Sequence, residues 1–340
     1  MIKKPLSLLR YIVFLSLGLG LLFLSFSGIN VRATLAEFNN INYGWLGISI
    51  LFSVVAFYSR ALRWNLLLHP LGFRPSGYDT MNALMAGYLA NLAIPRLGEI
   101  TRCGTLNRTA KVPFEILLGT VIVERVLDVL CLAACMLLTA WVEHDRLWSF
   151  ILTNLIEPIQ QKLHFGSLFI LLILIGCVLA LLAVFILRKH FIKNSNKTKN
   201  SDGKIYRMLT GILDGLRSVR RIEQKGAFVF HTFFIWFCYF LMSYTCFKAL
   251  PATADLGWQA GLFVLVVGGM GMSAPVQGGI GTYHLLVSRG LGLYGLIPLH
   301  GMAFATLMHT TQTLLVIIIG GISILLITFQ QPTRTNHENA

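Results

Sequence analysis

Residues 11–29, 45–59 and 167–187 each run fifteen or more positions without a charge and are mostly apolar. A bilayer core is crossed by roughly 20 helical residues, or fewer where flanking side chains snorkel. Such runs, spread along a 340-residue chain, set the fold class as an all-α polytopic membrane protein. Composition agrees: 55% of the residues are hydrophobic and 12% charged, against about 25% charged in a soluble domain.

The net charge is +14, but the cations stand beside the apolar runs. That placement points to topology and anionic-lipid contact, so membrane lipids are the expected partners and nucleic acid is not. The six cysteines (103, 131, 135, 177, 238 and 246) lie almost wholly in apolar stretches. Their spacing matches neither a zinc ribbon nor a disulfide framework, and no metal or other cofactor is expected. The first apolar run exceeds a signal-peptide core, and Val31-Arg32-Ala33 makes a poor cleavage site. It reads as a retained first helix.

Following the cations gives a path with both termini cytoplasmic. Residues 11–29 go out, and 44–68 return to Arg60, Arg63, His69 and Arg74, placed near the interface. Residues 78–94 enter again, break at Pro95, and the chain is back among cations by Arg108 and Lys111. That makes a re-entrant hairpin, after which residues 114–141 cross outward. The second half repeats the pattern in the opposite sense. Residues 167–187 come in, 228–247 go out, 258–274 enter and break at Pro275, and 300–329 cross inward. The expectation is about six full spans plus two Pro/Gly-interrupted re-entrant hairpins, eight apolar segments related by an inverted repeat. One transmembrane domain covers residues 1–330 (halves 1–165 and 166–330), with a polar cytoplasmic tail at 331–340. Paired interrupted segments of this kind point to a transporter's binding site.

Between the halves, residues 188–226 carry eleven Lys/Arg against three Asp/Glu. From Lys204 onward, Ile205, Met208, Leu209, Ile212, Leu213 and Leu216 share a helical face. This is either an amphipathic helix at the headgroups or a helix packed on the bundle with a solvated basic face.

Chemistry concentrates at the first hairpin and the span after it. Asn91, Pro95, Arg96, Gly98, Glu99 and Arg102 sit at the break; Glu124, Arg125 and Asp128 lie in mid-span, with Glu124 and Asp128 on one face. Three positive and three negative groups invite a buried ion network, since each unpaired charge costs about 2.5–3.5 kcal/mol at a helix centre. Arginine's planar fork suits phosphate, which makes Arg96 or Arg102 the candidate headgroup contact and Glu99 its holder or exchange partner. The second hairpin carries Pro275, Gln277, Gly278, Gly279, Gly281, Tyr283 and His284, without a formal charge at neutral pH. Its glycines suit either a backbone anion nest or close helix packing.

In order and spacing, Asn91…Pro95-Arg96-Leu97-Gly98-Glu99…Arg102, then Glu124-Arg125…Asp128, then Pro275…Gly278-Gly279-Ile280-Gly281 resemble the three signatures of the lysylphosphatidylglycerol synthase transmembrane family, the flippase-like domain proteins. The resemblance covers nearly the whole chain. It implies a bacterial inner-membrane domain that moves lipids between leaflets. Two departures stand out: His284 occupies a position where the family often has Glu, and the soluble aminoacyl-transfer domain is missing. The resulting expectation is a non-enzymatic flippase or scramblase for an anionic or modified (glyco)phospholipid, with the residues above as substrate contacts. Two other readings stay open: a membrane-embedded lipid-modifying enzyme, and a non-transporting partner of a separate lipid-modifying enzyme.

Overall fold

The computed structural model describes residues 16, 18–146, 218 and 221–329, and all regular structure among them is helical. The chain divides into two compact units, Met1–Val142 with Gly211–Ala340, and Glu143–Thr210. Almost all described residues belong to the first. The expected span at 167–187 and nearly all of the basic segment 188–226 lie outside the described residues. Within the described part of the second unit, Arg146 pairs with Glu143 at 2.9 Å.

Among the described residues of the first unit there are ten α-helices: α1 (Gly18–Phe26), α2 (Val31–Ala36), α3 (Tyr43–Leu68), α4 (Gly77–Ala93), α5 (Leu97–Ala110), α6 (Phe114–Val142), α7 (Lys225–Phe247), α8 (Trp258–Ser273), α9 (Thr282–Leu291) and α10 (Pro298–Phe329). Tyr43–Leu71, Lys225–Phe247 and Pro298–Phe329 are long and apolar enough to cross a bilayer, and Gly18–Phe26 with Val31–Asn40 form an apolar pair bent by 88°. The 29-residue α6 reaches about 43 Å and carries Glu124, Arg125 and Asp128 near mid-length.

Local chemistry sets the helix ends. Asn42 caps α3 through Gly44 and Trp45 N–H, and Ser76 caps α4 through Asp79 N–H. Pro95 forces Ile94 into an extended conformation (φ −135°, ψ 122°) and so ends α4. Ala274 before Pro275 is likewise extended and ends α8.

Two helical hairpins result, α4–α5 and α8–α9, each closed by direct backbone approach. A Cβ on Gly87 would stand 2.7 Å from the Gly98 carbonyl oxygen, and one on Gly98 would overlap Gly87 O and the Asn91 amide. A Cβ on Gly271 would stand 2.8 Å from Tyr283 Cα. Helix α3 packs along α7, with Ser49 Oγ donating to Met242 O at 2.8 Å and Ser59 Oγ 2.8 Å from His231 Nδ1, so the two run antiparallel. Helix α4 packs on α3, α5 and α10; α8 packs on α7, α9 and α6; α5 also meets α6, and α9 meets α10.

The hairpin tips touch. The turn at Gln277–Gly279 packs against α4, and a Cβ on Gly278 would lie 2.8 Å from Leu92 Cδ2. Ser25 Oγ on α1 reaches Gly281 O at 3.1 Å, and His309 Nε2 on α10 donates to Gly278 O at 2.8 Å. The second tip is therefore held from three sides.

Candidate functional site

A buried ion network joins α3, α5 and α6. Glu124, with no exposed side-chain surface, accepts from Arg60 Nη2 (2.9 Å), Arg63 Nη2 (3.3 Å) and Arg102 Nη1 (3.0 Å). Asp128, one turn on, accepts from Arg60 Nη2 (2.7 Å) and Arg63 Nη2 (2.8 Å). Helical spacing places the groups: Arg60 and Arg63 are i,i+3 on α3, and Glu124 and Asp128 are i,i+4 on α6. Two aromatic residues steady the arginines. Arg102 lies 4.7 Å above the Trp64 ring, whose Nε1 donates to Thr120 at 2.9 Å. Tyr239 on α7 meets Arg60 Nη1 at 3.1 Å.

Arg60 and Arg63 correct the sequence-based placement. Both were assigned to the interface, yet both are buried, Arg63 completely. Near the end of an apolar run, a snorkelling cation and one turned inward look alike in sequence. The i,i+3 spacing was the available signal.

Of the residues expected in the network, Arg102, Glu124, Arg125 and Asp128 come together. Arg96 and Glu99 do not join them. Arg96 is exposed at the first hairpin tip and forms no ion pair among the described residues. Glu99 is half-buried, with Oε2 lacking a partner. The expected balance of three against three becomes four guanidiniums against two carboxylates. Several guanidinium nitrogens, among them Arg63 Nε and Nη1, Arg60 Nε and Arg102 Nη2, are buried without partners.

Asn91 and Gly98 have an architectural part. Asn91 Oδ1 accepts the Gly98 N–H at 2.7 Å and so locks the first turn. Arg96 holds φ +64° there, a left-handed conformation that costs a non-glycine residue about 1–2 kcal/mol. Gly281 occupies the same cap position before α9, at φ +82°. Counting from these caps, Glu99 and His284 are both third into the second arm, and each keeps one buried polar atom without a partner, Glu99 Oε2 and His284 Nδ1.

In the second hairpin the glycines serve conformation and packing. Gly278, Gly279 and Gly281 all have positive φ, and Thr282 Oγ1 closes the turn onto Gly271 O at 2.7 Å. Gln277, Tyr283 and His284 are buried beside it. The His284 and His309 rings stand 4.7 Å apart, and Tyr283 lies 5.5 Å from His309. No group of three or more His, Cys, Asp or Glu among the described residues could hold a metal ion.

Apolar helices around a buried, charge-rich seam define a helical membrane protein with a polar interior site. The chain belongs to the family of the lysylphosphatidylglycerol synthase TM region, whose model matches residues 8–320. No curated protein and no solved structure matches it.

Proposed function

We propose that this chain is a lipid flippase or scramblase, carrying an anionic or modified phospholipid headgroup past the buried ion network of α3, α5 and α6 while the acyl tails stay in the bilayer. The observation that carries the reading is the Arg60/Arg63/Arg102/Arg125 network. It leaves more cation than anion at a depth where charge is costly and is kept for function. A purely structural clamp gains little from buried ion pairs over apolar packing.

The packing pattern supports an inverted repeat. Exchanging α3, α4, α5 and α6 for α7, α8, α9 and α10 turns α4–α5 into α8–α9, α5–α6 into α9–α10, α3–α4 into α7–α8 and α4–α10 into α8–α6, all of them packed pairs. The antiparallel α3–α7 contact agrees with a two-fold axis in the membrane plane. On this reading the hairpins enter from opposite faces of an inner membrane. In a cysteine-free background, Tyr78→Cys and Trp258→Cys, at the exposed outer ends of α4 and α8, label from opposite sides with an impermeant reagent. Labelling of both from one side contradicts the inversion.

Arg96 is the first headgroup contact. Its guanidinium is exposed at the tip, and it holds a backbone conformation that glycine would adopt more cheaply. Arg96→Gly leaves stability within about 1 kcal/mol of wild type but slows exchange several-fold. Unchanged exchange removes Arg96 from the path. The reading itself is tested with headgroup-labelled anionic lipids in proteoliposomes. Protein-dependent exchange with chemically unaltered lipid is expected. Altered lipid favours an enzyme, and absence of exchange favours a non-transporting partner.

A further inference from the structure

We infer that His284, packed on His309 in the second hairpin, is a proton-binding site, and that the bound proton releases the tip of that hairpin from α10. The inference concerns the second hairpin alone and stands whether or not the bundle carries lipid.

Geometry sets the pair apart. The two imidazole rings stand 4.7 Å apart, tilted by 55°, and both residues are buried. His309 is engaged, since its Nε2 donates to Gly278 O at 2.8 Å and ties α10 to the turn. His284 is not: its Nδ1 is buried with no hydrogen-bond partner. A buried polar atom left so is costly and calls for an explanation. Packing alone would be served as well by an apolar ring.

The surroundings determine what a proton does there. Residues 258–329 contain no Asp or Glu, so α8, the turn, α9 and α10 offer no counter-charge. Helix α9 packs on α8, which has no titratable side chain, and on α10, which brings His300 and His309. Helix α1 covers Gly281 and has none among its described residues. From α7, Cys246 lies near Tyr283. On α4, which packs on α10, Asp79 is hydrogen-bonded to Ser76 at the outer end and Tyr88 lies beside Arg60. Arg60 and Arg63 of α3 are held by Glu124 and Asp128. Glu37 meets His300 at 3.6 Å, more than two turns of α10 before His309.

A protonated His284 therefore has another imidazole beside it and no carboxylate facing it. It also sits in the first turn of α9, where the helix dipole opposes positive charge. An imidazolium carries N–H on both nitrogens, and no acceptor meets Nδ1. All three effects disfavour the charge in the closed packing. The protonated ring is better accommodated with the tip released, where Nδ1–H can find an acceptor. Because the released form binds the proton more tightly, lowering the pH shifts the population toward it. The ties at stake are the His309–Gly278 bond and, from α1, the Ser25–Gly281 bond at 3.1 Å.

The test uses the full chain in phosphatidylcholine nanodiscs. Spin labels on Leu286→Cys of α9 and Thr310→Cys of α10, in a cysteine-free background, report the separation of the two helices. From about pH 8 to about pH 5 a longer-distance population should grow by about tenfold relative to the closed one. His284→Gln should hold the closed distance at both pH values, while His231→Gln, on α7 beside Ser59, should respond as wild type does. A wild-type distance that ignores pH overturns the inference, and so does a response that survives in His284→Gln. Amide exchange of the wild-type chain, corrected for the intrinsic effect of pH, needs no variant at the pair and covers the case in which His284→Gln does not fold. Protection over residues 277–284 should fall several-fold more than over residues 301–309 between the same two pH values. Equal change in the two segments overturns the inference as well. Leaflet exchange is read separately, and its absence would defeat the transport reading alone.

Discussion

Replacing Glu124 with glutamine should cost this protein more stability than any other single polar substitution in the bundle. Three arginines converge on its fully buried carboxylate. An amide of the same shape leaves Arg60 and Arg63 facing Asp128 alone and Arg102 without a carboxylate partner, and removing one partner of a buried ion pair costs about 3–5 kcal/mol. Against a total stability of about 5–15 kcal/mol, that is a large fraction. In detergent the melting midpoint of Glu124→Gln should fall by about 6–10 °C. Asp128→Asn should fall less, because Arg60 and Arg63 keep Glu124 and the Asp128 site is partly open. Equal, small shifts in the two variants would mean that Glu124 is not the hub.

The second large effect lies at the first hairpin. A methyl group on Gly98 overlaps the Gly87 carbonyl and the Asn91 side chain, both parts of the turn itself. Backbone cannot yield as a long side chain can. Forcing the arms apart costs about 1–3 kcal/mol in overpacking, with about 1 kcal/mol more from the lost Asn91–Gly98 hydrogen bond. Gly98→Ala should therefore lower both the melting midpoint and the yield of folded protein. Gly104→Ala on the same helix is the control: nothing lies within 4 Å of its added Cβ, and it should gain about 0.5–1 kcal/mol in helix propensity. Similar behaviour of the two variants would mean the arms are not in backbone contact.

Helix placement was legible in the sequence because apolar run length and proline position are local. The segments read as 44–68, 78–94, 114–141, 228–247, 258–274 and 300–329 correspond to α3, α4, α6, α7, α8 and α10 within three residues at each end. Pro95 and Pro275 marked the breaks because proline constrains the residue before it whatever the tertiary context.

The partners within the site were less legible, since they depend on which helix faces meet. Glu124, Arg125, Asp128 and Arg102 were expected to share a network and do. Arg60 and Arg63 were assigned to the interface and instead supply most of the hydrogen bonds to the carboxylates. Arg96 and Glu99 were expected inside, but the turn that Pro95 and the Asn91–Gly98 bond impose leaves them outside the cluster. Asn91 and Gly98 themselves close the hairpin. A residue can be invaluable to a site by shaping the turn that carries it, and sequence spacing does not separate that part from ligand contact.

The account's central claim is that the arginine-rich seam handles a lipid headgroup, beyond pinning helices together. The most direct measurement is leaflet exchange of headgroup-labelled phosphatidylglycerol in proteoliposomes, comparing wild type with Arg125→Gln at matched reconstitution and matched melting midpoint. The account predicts protein-dependent exchange that falls by about tenfold in the variant. Equal exchange by the two proteins, or none by wild type for any anionic lipid, would contradict it.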